Sequence, residues 1–326
     1  MKMAVTGGLG FIGSNFIHYE FKNYTDIEII NLDKETYASN RYYLGAVESD
    51  TRYHFVKCDI SRKNEIESHL KDVDIIVNFA AESHVDRSIN DSTDFIFSNY
   101  IGVKNLLEIV RDRDIRIHQV STDEVFGSLP LNSNHKFTEK TPYNPRNPYS
   151  ATKAAADHLV SAFQNTYGVR ATISYSGNNF GPHQHPEKLI PKTILSFLRG
   201  KKITLYGLGN QIRDWIYVED HCSAIDLIIR KANIGRKFIV SSGYVLSNRE
   251  VIDKIREVMN INTESIDFVT DRQGHDLKYQ SDSSLIQKEI GWSPIINFDK
   301  GIRITVKHYV ENLHLYSMEE LEDHGK

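Results

Sequence analysis

The chain has 326 residues, 40% of them apolar and 25% charged, with a net charge of −4. That length suits about two domains with sizeable cores, and the acidic balance excludes a nucleic-acid binder, which carries a basic excess. Two cysteines, Cys58 and Cys222, exclude a disulfide framework and fit a reducing, cytoplasmic setting; the opening MKMAVTGG lacks the apolar region of a signal peptide, and no apolar run reaches the roughly 18 residues of a membrane helix.

Met3–Thr6 reads as a strand running into Gly7-Gly8-Leu9-Gly10-Phe11-Ile12-Gly13, with helix-compatible sequence from Ser14. Glycines 8, 10 and 13 fit G-x-G-x-x-G, and 7, 10 and 13 fit a wider variant of it. Such glycines let the backbone turn tightly and approach a pyrophosphate held at a helix N-terminus. By themselves they are also compatible with a plain glycine-rich turn. A second strand, Ile27–Asp33, ends on a carboxylate twenty residues after Gly13. A carboxylate there accepts hydrogen bonds from the ribose hydroxyls and repels a 2′-phosphate, which predicts NAD rather than NADP. Tyr53–Asp59 is a third strand, and its final Asp59 suits an adenine contact and a strand-end cap equally well.

Strands Ile75–Ala80 and Ile115–Ser121 follow, separated by a helical pattern over Asn99–Val110. Ser121-Thr122-Asp123-Glu124 then stands at the carboxyl end of a strand, where parallel sheets place ligands. Two adjacent buried acids would divide their labour, one held protonated as an acid and one left as a base, as elimination of water requires. The same four residues also suit an acidic loop with a helix cap. Ala151–Thr166 is helical in pattern, with Pro148 in its first turn, so Tyr149 and Lys153 share one face. The lysine ammonium and a positive nicotinamide would together pull the phenol below its usual pKa of about 10, making it a base for a sugar hydroxyl. With 17 tyrosines the spacing recurs by chance, and Tyr53–Lys57 repeats it. On a strand, however, those two would stand about 13 Å apart.

Ala171–Tyr175 is the last strand of the alternating pattern, which predicts a Rossmann-like, doubly wound parallel α/β sheet over residues 1–175. From 176 to 326 the pattern loosens into prolines, short strands and isolated helices (Pro191–Leu198, Asn248–Met259), the signature of a smaller mixed α/β lobe, with chain crossovers between the lobes left open. The acidic tail MEELEDHGK reads as a solvated end. His183 and His185 flank Gln184 but bring too few ligands for a metal, so no metal is expected. Trp215 and Trp292 read as core aromatics.

TGGLGFIGSNF, NFAAESHVDRSI, STDEVFG, NPYSATKAAADHLV, GNNFGP, PEKLIP, GNQIRDWIYVEDH and GHDLKYQSD occur in this order. Together they resemble the extended short-chain dehydrogenase/reductases and, among them, the dTDP-glucose 4,6-dehydratase family, from about residue 3 to about residue 300. The STDE tetrad and RDWIYVEDH carry the resemblance further than the glycines, because epimerases of the same fold lack the acid pair. The resemblance implies that Tyr149 is the base for the C4 hydroxyl, tuned by Lys153, with Thr122 bonding the sugar, Glu124 taking the C5 proton and Asp123 protonating the departing C6 hydroxyl. It implies NAD contacts at Gly7, Gly10, Phe11, Ile12, Gly13, Asp33, Lys34, Asp59, Ile60, Ala80, Ala81, Ser83, Ser98, Tyr149, Lys153 and Asn179. It implies contacts to a nucleoside-diphosphate sugar, dTDP-glucose, at Ser83, His84, Thr122, Asn178, Lys188, Leu189, Tyr206, Arg213, Asn248, Arg272, His275 and Tyr279. It also implies a homodimer built by helix packing. The residues 1–175 would then bind NAD and 176–326 the nucleotide sugar. Phe126, Gly177 and Gln273 depart from the family's tyrosine, serine and proline, and the loop Ser128–Lys136 is short; none of these removes a catalytic group. A 4,6-dehydratase or other NAD-dependent enzyme acting on a UDP- or GDP-sugar is the alternative, and a catalytically silent NAD-binding scaffold is opposed by the presence of all four reactive groups.

Overall fold

The computed structural model describes residues 1–262, 266–272 and 274–316, so Gln273 and the acidic tail lie outside the described residues. Six strands alternate with helices through the first half: β1 (Lys2–Thr6), β2 (Glu28–Asp33), β3 (Tyr53–Lys57), β4 (Ile75–Asn78), β5 (Arg116–Thr122) and β6 (Ala171–Ser176). The next strands are β7 (Asn178–Phe180), β8 (Ile203–Tyr206), β9 (Ile212–Tyr217), β10 (Lys237–Val240), β11 (Val245–Ser247) and β12 (Ile266–Val269). Seven of them form one parallel sheet in the order β10-β6-β5-β4-β1-β2-β3. The expected doubly wound α/β sheet is therefore present. Its order reverses between β1 and β4, and a crevice for ligands opens at such a switch point. A smaller sheet, β11-β9-β7, and a β12-β8 pair complete the second lobe.

The sheet forms because its strands are apolar on both faces, as parallel strands covered by helices must be. Ala4 packs with Val103, Leu107 and Val160 on one side, and its neighbours Met3 and Val5 pack with Phe16, Ile17 and Ile225 on the other. That alternation is the period-2 reversal of side chains along a strand. Beyond residue 176 the chain crosses back: the helix Val218–Lys231 packs beside Phe11–Asn23, and β10 pairs with β6 at the sheet edge. Trp215 and Trp292 are buried in the second half of the chain. No helix among the described residues is long and apolar enough to cross a membrane.

Two local features position the site. The helix Pro148–Tyr167 starts three residues before the expected Ala151, because Asn147 and Ser150 form a reciprocal capping box around Pro148 at the first position. The expected helix Asn99–Val110 is α-helical only from Gly102, since Ile96–Ile101 forms a wider π-turn. Such turns re-aim side chains near functional sites, and this one carries Ser98 and Asn99.

Candidate active site

A cleft of about 310 Å³ opens at the carboxyl ends of the parallel strands. Every residue expected to touch NAD lines it: Gly7, Gly10, Phe11, Ile12, Gly13, Asp33, Lys34, Asp59, Ile60, Ala80, Ala81, Ser83, Ser98, Tyr149, Lys153 and Asn179. At Gly7, φ is 70° and a Cβ would lie 2.7 Å from the Ala80 backbone; at Gly13 it would lie 2.4 Å from the Gly7 carbonyl oxygen. Both positions therefore demand glycine. The Asp33 carboxylate accepts from Leu9 N (3.0 Å), Glu35 N (2.8 Å) and Ser39 Oγ (2.9 Å), which pins it at the rim. Asp59 lines the cleft and accepts from Ser61 N at 2.8 Å. Lys34 Nζ donates to Ser98 Oγ (3.1 Å), and Asn99 bonds both backbone groups of Glu82. Close-approach glycines at a helix start, with a fixed carboxylate at the end of β2, fit an adenine dinucleotide.

The inner end of the cleft holds Thr122, Asp123, Glu124, Tyr149 and Lys153. Asp123 and Glu124 open a single 3₁₀ turn after β5, with Thr122 as its cap: the Thr122 hydroxyl accepts from Glu124 N at 3.2 Å. Asp123 is 1% exposed, and its Oδ2 has no hydrogen-bond partner among the described residues. Burial first, then the charges of Glu124 and Asp214, push its carboxyl well above the usual range. Burial also raises Glu124, while the Arg213 guanidinium opposes the rise. Lys153 is 4% exposed and donates to the Val120 carbonyl at 2.7 Å; burial lowers its pKa to about 8. Tyr149 is 8% exposed. Burial and the neighbouring Glu124 push its phenol up rather than down, and a hydrogen bond with Thr122 is the opposing influence. Tyr53–Lys57, the chance repeat of this spacing, is a strand; its Tyr53 hydroxyl accepts from Asn31, and Lys57 pairs with Glu35.

Four of the expected sugar-nucleotide residues, Ser83, Thr122, Asn178 and Lys188, line the cleft. The others are not among its walls. His84 faces Glu187 at 3.7 Å, and Leu189 opens the helix Leu189–Leu198. Asn248 opens the helix Asn248–Val258, its N–H bonded to the Gln211 carbonyl. Arg213 lies 4.2 Å from the Tyr279 ring and donates to the Asp276 carbonyl, while Arg272 stacks 4.9 Å from Tyr206 and pairs with Asp86. His275 bonds Asp271 at 2.6 Å. Tyr206, Arg213, Arg272, His275 and Tyr279 form a second group on β8, β9 and the segment that follows β12, tied to the acid pair through the charge of Arg213.

The structure adds residues the sequence reading omitted. Glu187 lines the cleft and gathers His84, His185 and Lys188 within 3.7 Å, yet the PEKLIP motif had drawn attention only to Lys188 and Leu189. Ser121 lines the cleft and donates to buried Asp157. Asp157 stands one helical turn beyond Lys153, so its signal was present in the spacing. Phe126 is buried among Phe137, Tyr143 and Tyr175, one layer behind the site. At Gly177 a Cβ would lie 2.8 Å from the Asp214 carbonyl oxygen, so a serine here requires that strand to shift. The loop Ser128–Lys136 packs on residues 277–278 through Leu129 N to Lys278 O and Lys278 Nζ to Ser133 O. His183 stacks on Tyr43 at 4.4 Å.

A model of the GDP-mannose 4,6 dehydratase family matches residues 4–305. A dTDP-glucose 4,6-dehydratase of Mycobacterium tuberculosis is 44% identical over 313 residues, 96% of this chain and 94% of that one. The low-salt glycan biosynthesis protein Agl12 of Haloferax volcanii is 44% identical over 311 residues, 95% of this chain and 99% of its own. Among solved structures, the dTDP-glucose 4,6-dehydratase DesIV of Streptomyces venezuelae, crystallised with NAD, has a TM-score of 0.94 at 39% identity, covering 99% of this chain and all of the other. The chain belongs to the GDP-mannose 4,6 dehydratase family and, in sequence and fold together, sides with its dTDP-glucose 4,6-dehydratases.

Proposed function

We infer that the protein is an NAD-dependent dTDP-glucose 4,6-dehydratase, converting dTDP-glucose to dTDP-4-keto-6-deoxyglucose and water. The observation that carries this reading is the buried acid pair, Asp123 and Glu124, on the turn beside Tyr149 and Lys153. Bound NAD supplies the acceptor for the C4 hydride, the donor that returns it to C6, and a positive charge beside the phenol. Tyr149 takes the proton of the C4 hydroxyl, held in place by Thr122. Lys153 supplies the positive charge that favours the phenolate. Glu124, the acid more exposed to the cleft, removes the C5 proton once C4 is a ketone. Asp123, kept protonated by burial, passes its proton to the C6 hydroxyl, which leaves as water. The proton held by Glu124 returns to C5, and the proton taken by Tyr149 passes through solvent to Asp123, which resets both groups for the next turnover.

Arg213, Arg272, Lys188 and their neighbours would hold the nucleoside diphosphate, since guanidinium forks match phosphate oxygens. On this reading residues 1–175 carry NAD and 176–326 the nucleotide sugar, in a cytoplasmic homodimer. The test is incubation with dTDP-glucose, UDP-glucose and GDP-mannose, followed by mass spectrometry. Loss of one water from dTDP-glucose is expected; loss only from a UDP- or GDP-sugar moves the assignment to the alternative base. Thymine and uracil differ by one methyl, worth about 1–3 kcal/mol in a pocket, so the rates decide.

A further inference from the structure

The catalytic lysine is buried, and among the described residues its one hydrogen-bond acceptor is a neutral carbonyl, that of Val120. A buried ammonium needs a countercharge. On the same helix, four residues on, Asp157 is completely buried and shares the face of Tyr149 and Lys153. β5 reads this face residue by residue. Val120 O takes Lys153 Nζ, the next residue's Ser121 Oγ donates to Asp157 Oδ2 at 2.5 Å, and the following Thr122 bonds Tyr149. Asp157 Oδ1 has no hydrogen-bond partner among the described residues.

We propose that Asp157 is a positioning residue of the reaction: its carboxylate, oriented by Ser121, holds Lys153 in the charged form that Tyr149 requires. The proposal rests on the catalytic reading of Tyr149 and Lys153. The surroundings of Asp157 support it. From the segment before the helix Tyr143 faces it, and from β6 Tyr175 stands behind Tyr143 with their hydroxyls 2.5 Å apart. From β10 Lys237 adds a more distant positive charge and is itself bonded to Ser161, while Glu139 adds a negative charge near Tyr175. Lys153 is the strongest of the influences that oppose the burial of Asp157, and Asp157 is the group that opposes the burial of Lys153. Burial brings the two toward each other, Asp157 up to about 6 and Lys153 down to about 8. Between these values both are charged.

The experiment is a titration of Lys153 by NMR in protein labelled at lysine Cε, the resonance identified by its loss in Lys153→Met, read beside the pH profile of kcat/KM. In Asp157→Asn, Lys153 is expected to titrate lower by about one pH unit or more, and the alkaline limb of kcat/KM to move with it. Ser121→Ala keeps both charges but removes the donor that favours ionised Asp157, so the acidic limb moves up while the alkaline limb stays. Lys153 titrating at the wild-type pH in Asp157→Asn overturns the proposal, and so does uniform loss of activity with unmoved limbs. If Asp157→Asn does not fold, an unmoved acidic limb in Ser121→Ala overturns it. Wild-type turnover by Lys153→Met would instead overturn the catalytic reading, and the NMR titration of Asp157→Asn would still decide the role of Asp157.

Discussion

The two ends of the cleft are built on opposite principles. At the dinucleotide end polar groups are satisfied: Asp33 accepts three hydrogen bonds, Asn31 holds Gly8 N and Tyr53, and Thr6, Asn78 and Gln119 bond in series. At the reaction end ionisable groups are buried with atoms left over: Asp123, Asp157 and Asp214 each have an oxygen without a partner. Each is pushed above the normal carboxylate range, chiefly by burial, and Lys153 is pushed below its own. A shape-specific binding surface needs fixed, satisfied groups, whereas proton transfer needs groups displaced from their preferred charge state, at about 1.4 kcal/mol per pH unit.

The contrast breaks most visibly at Tyr149. Tyr149→Phe removes the proton acceptor and keeps the ring against Phe95, so turnover is expected to fall by about 10²–10⁴-fold with bound NAD retained. Retention of more than about a hundredth of the activity in steady-state assays would show that the phenol is not the base.

The acid pair should fail in two distinguishable ways, each with a loss of about 10²-fold or more. Glu124→Gln should still oxidise C4 and then stall, accumulating reduced cofactor with little deuterium entering C5 in heavy water. Asp123→Asn should exchange C5 with solvent yet release water slowly. Single-turnover absorbance of reduced cofactor, read beside deuterium incorporation, separates them; identical behaviour would mean that the two acids share one role.

At the dinucleotide end the expected failure is one of binding and shape. Gly13→Ala forces a methyl to 2.4 Å from the Gly7 carbonyl, so the turn must open, at about 1–3 kcal/mol. Purified variant protein should carry less NAD and melt earlier, while any fraction that binds NAD turns over normally. A variant with full NAD content and an unchanged melting temperature would refute the close-packed turn.

The smallest effect isolates burial from function. His118, on β5 behind the cleft, is fully buried between the hydroxyls of Thr172 and Ser174, and burial lowers its pKa from 6.5 to about 3. The unfolded chain takes up this proton below about 6.5 and the folded chain does not, so stability present above that pH is lost as pH falls toward 3. Buried carboxyls such as Asp214, raised to about 7, act with the opposite sign, so the informative quantity is a difference. Between pH 6.5 and 5, denaturant unfolding of the wild type should lose stability more steeply than that of His118→Gln, by up to about 1.4 kcal/mol per pH unit. Equal slopes would show that His118 protonates in the folded state.

How much of this was legible along the chain depended on whether the cause was local. The strands β1 to β6, the glycine turn and Asp33 could be read directly, because apolar alternation and glycine spacing act over a few residues. The Tyr149–Lys153 pair was equally readable, because a helix puts i and i+4 together. The π-turn at Ile96–Ile101 carries no such signal, and neither does the return of β10 to the sheet edge. Glu187 escaped notice because His84 reaches it from a distant segment that only the fold brings within 3.7 Å, while His185 and Lys188 are its neighbours in the chain.

Charge state is the plainest case. The expected lowering of the Tyr149 phenol rests on Lys153 and the nicotinamide charge together, whereas in the folded chain by itself burial beside Glu124 raises it. Sequence by itself determined which reactive groups are present, which helix face or strand end bears them, and the family to which the chain belongs. Tertiary structure alone decided how deeply each is buried and which charges face it. Desolvation and Coulomb energies depend on distances between segments far apart in the chain, and no local pattern encodes those distances.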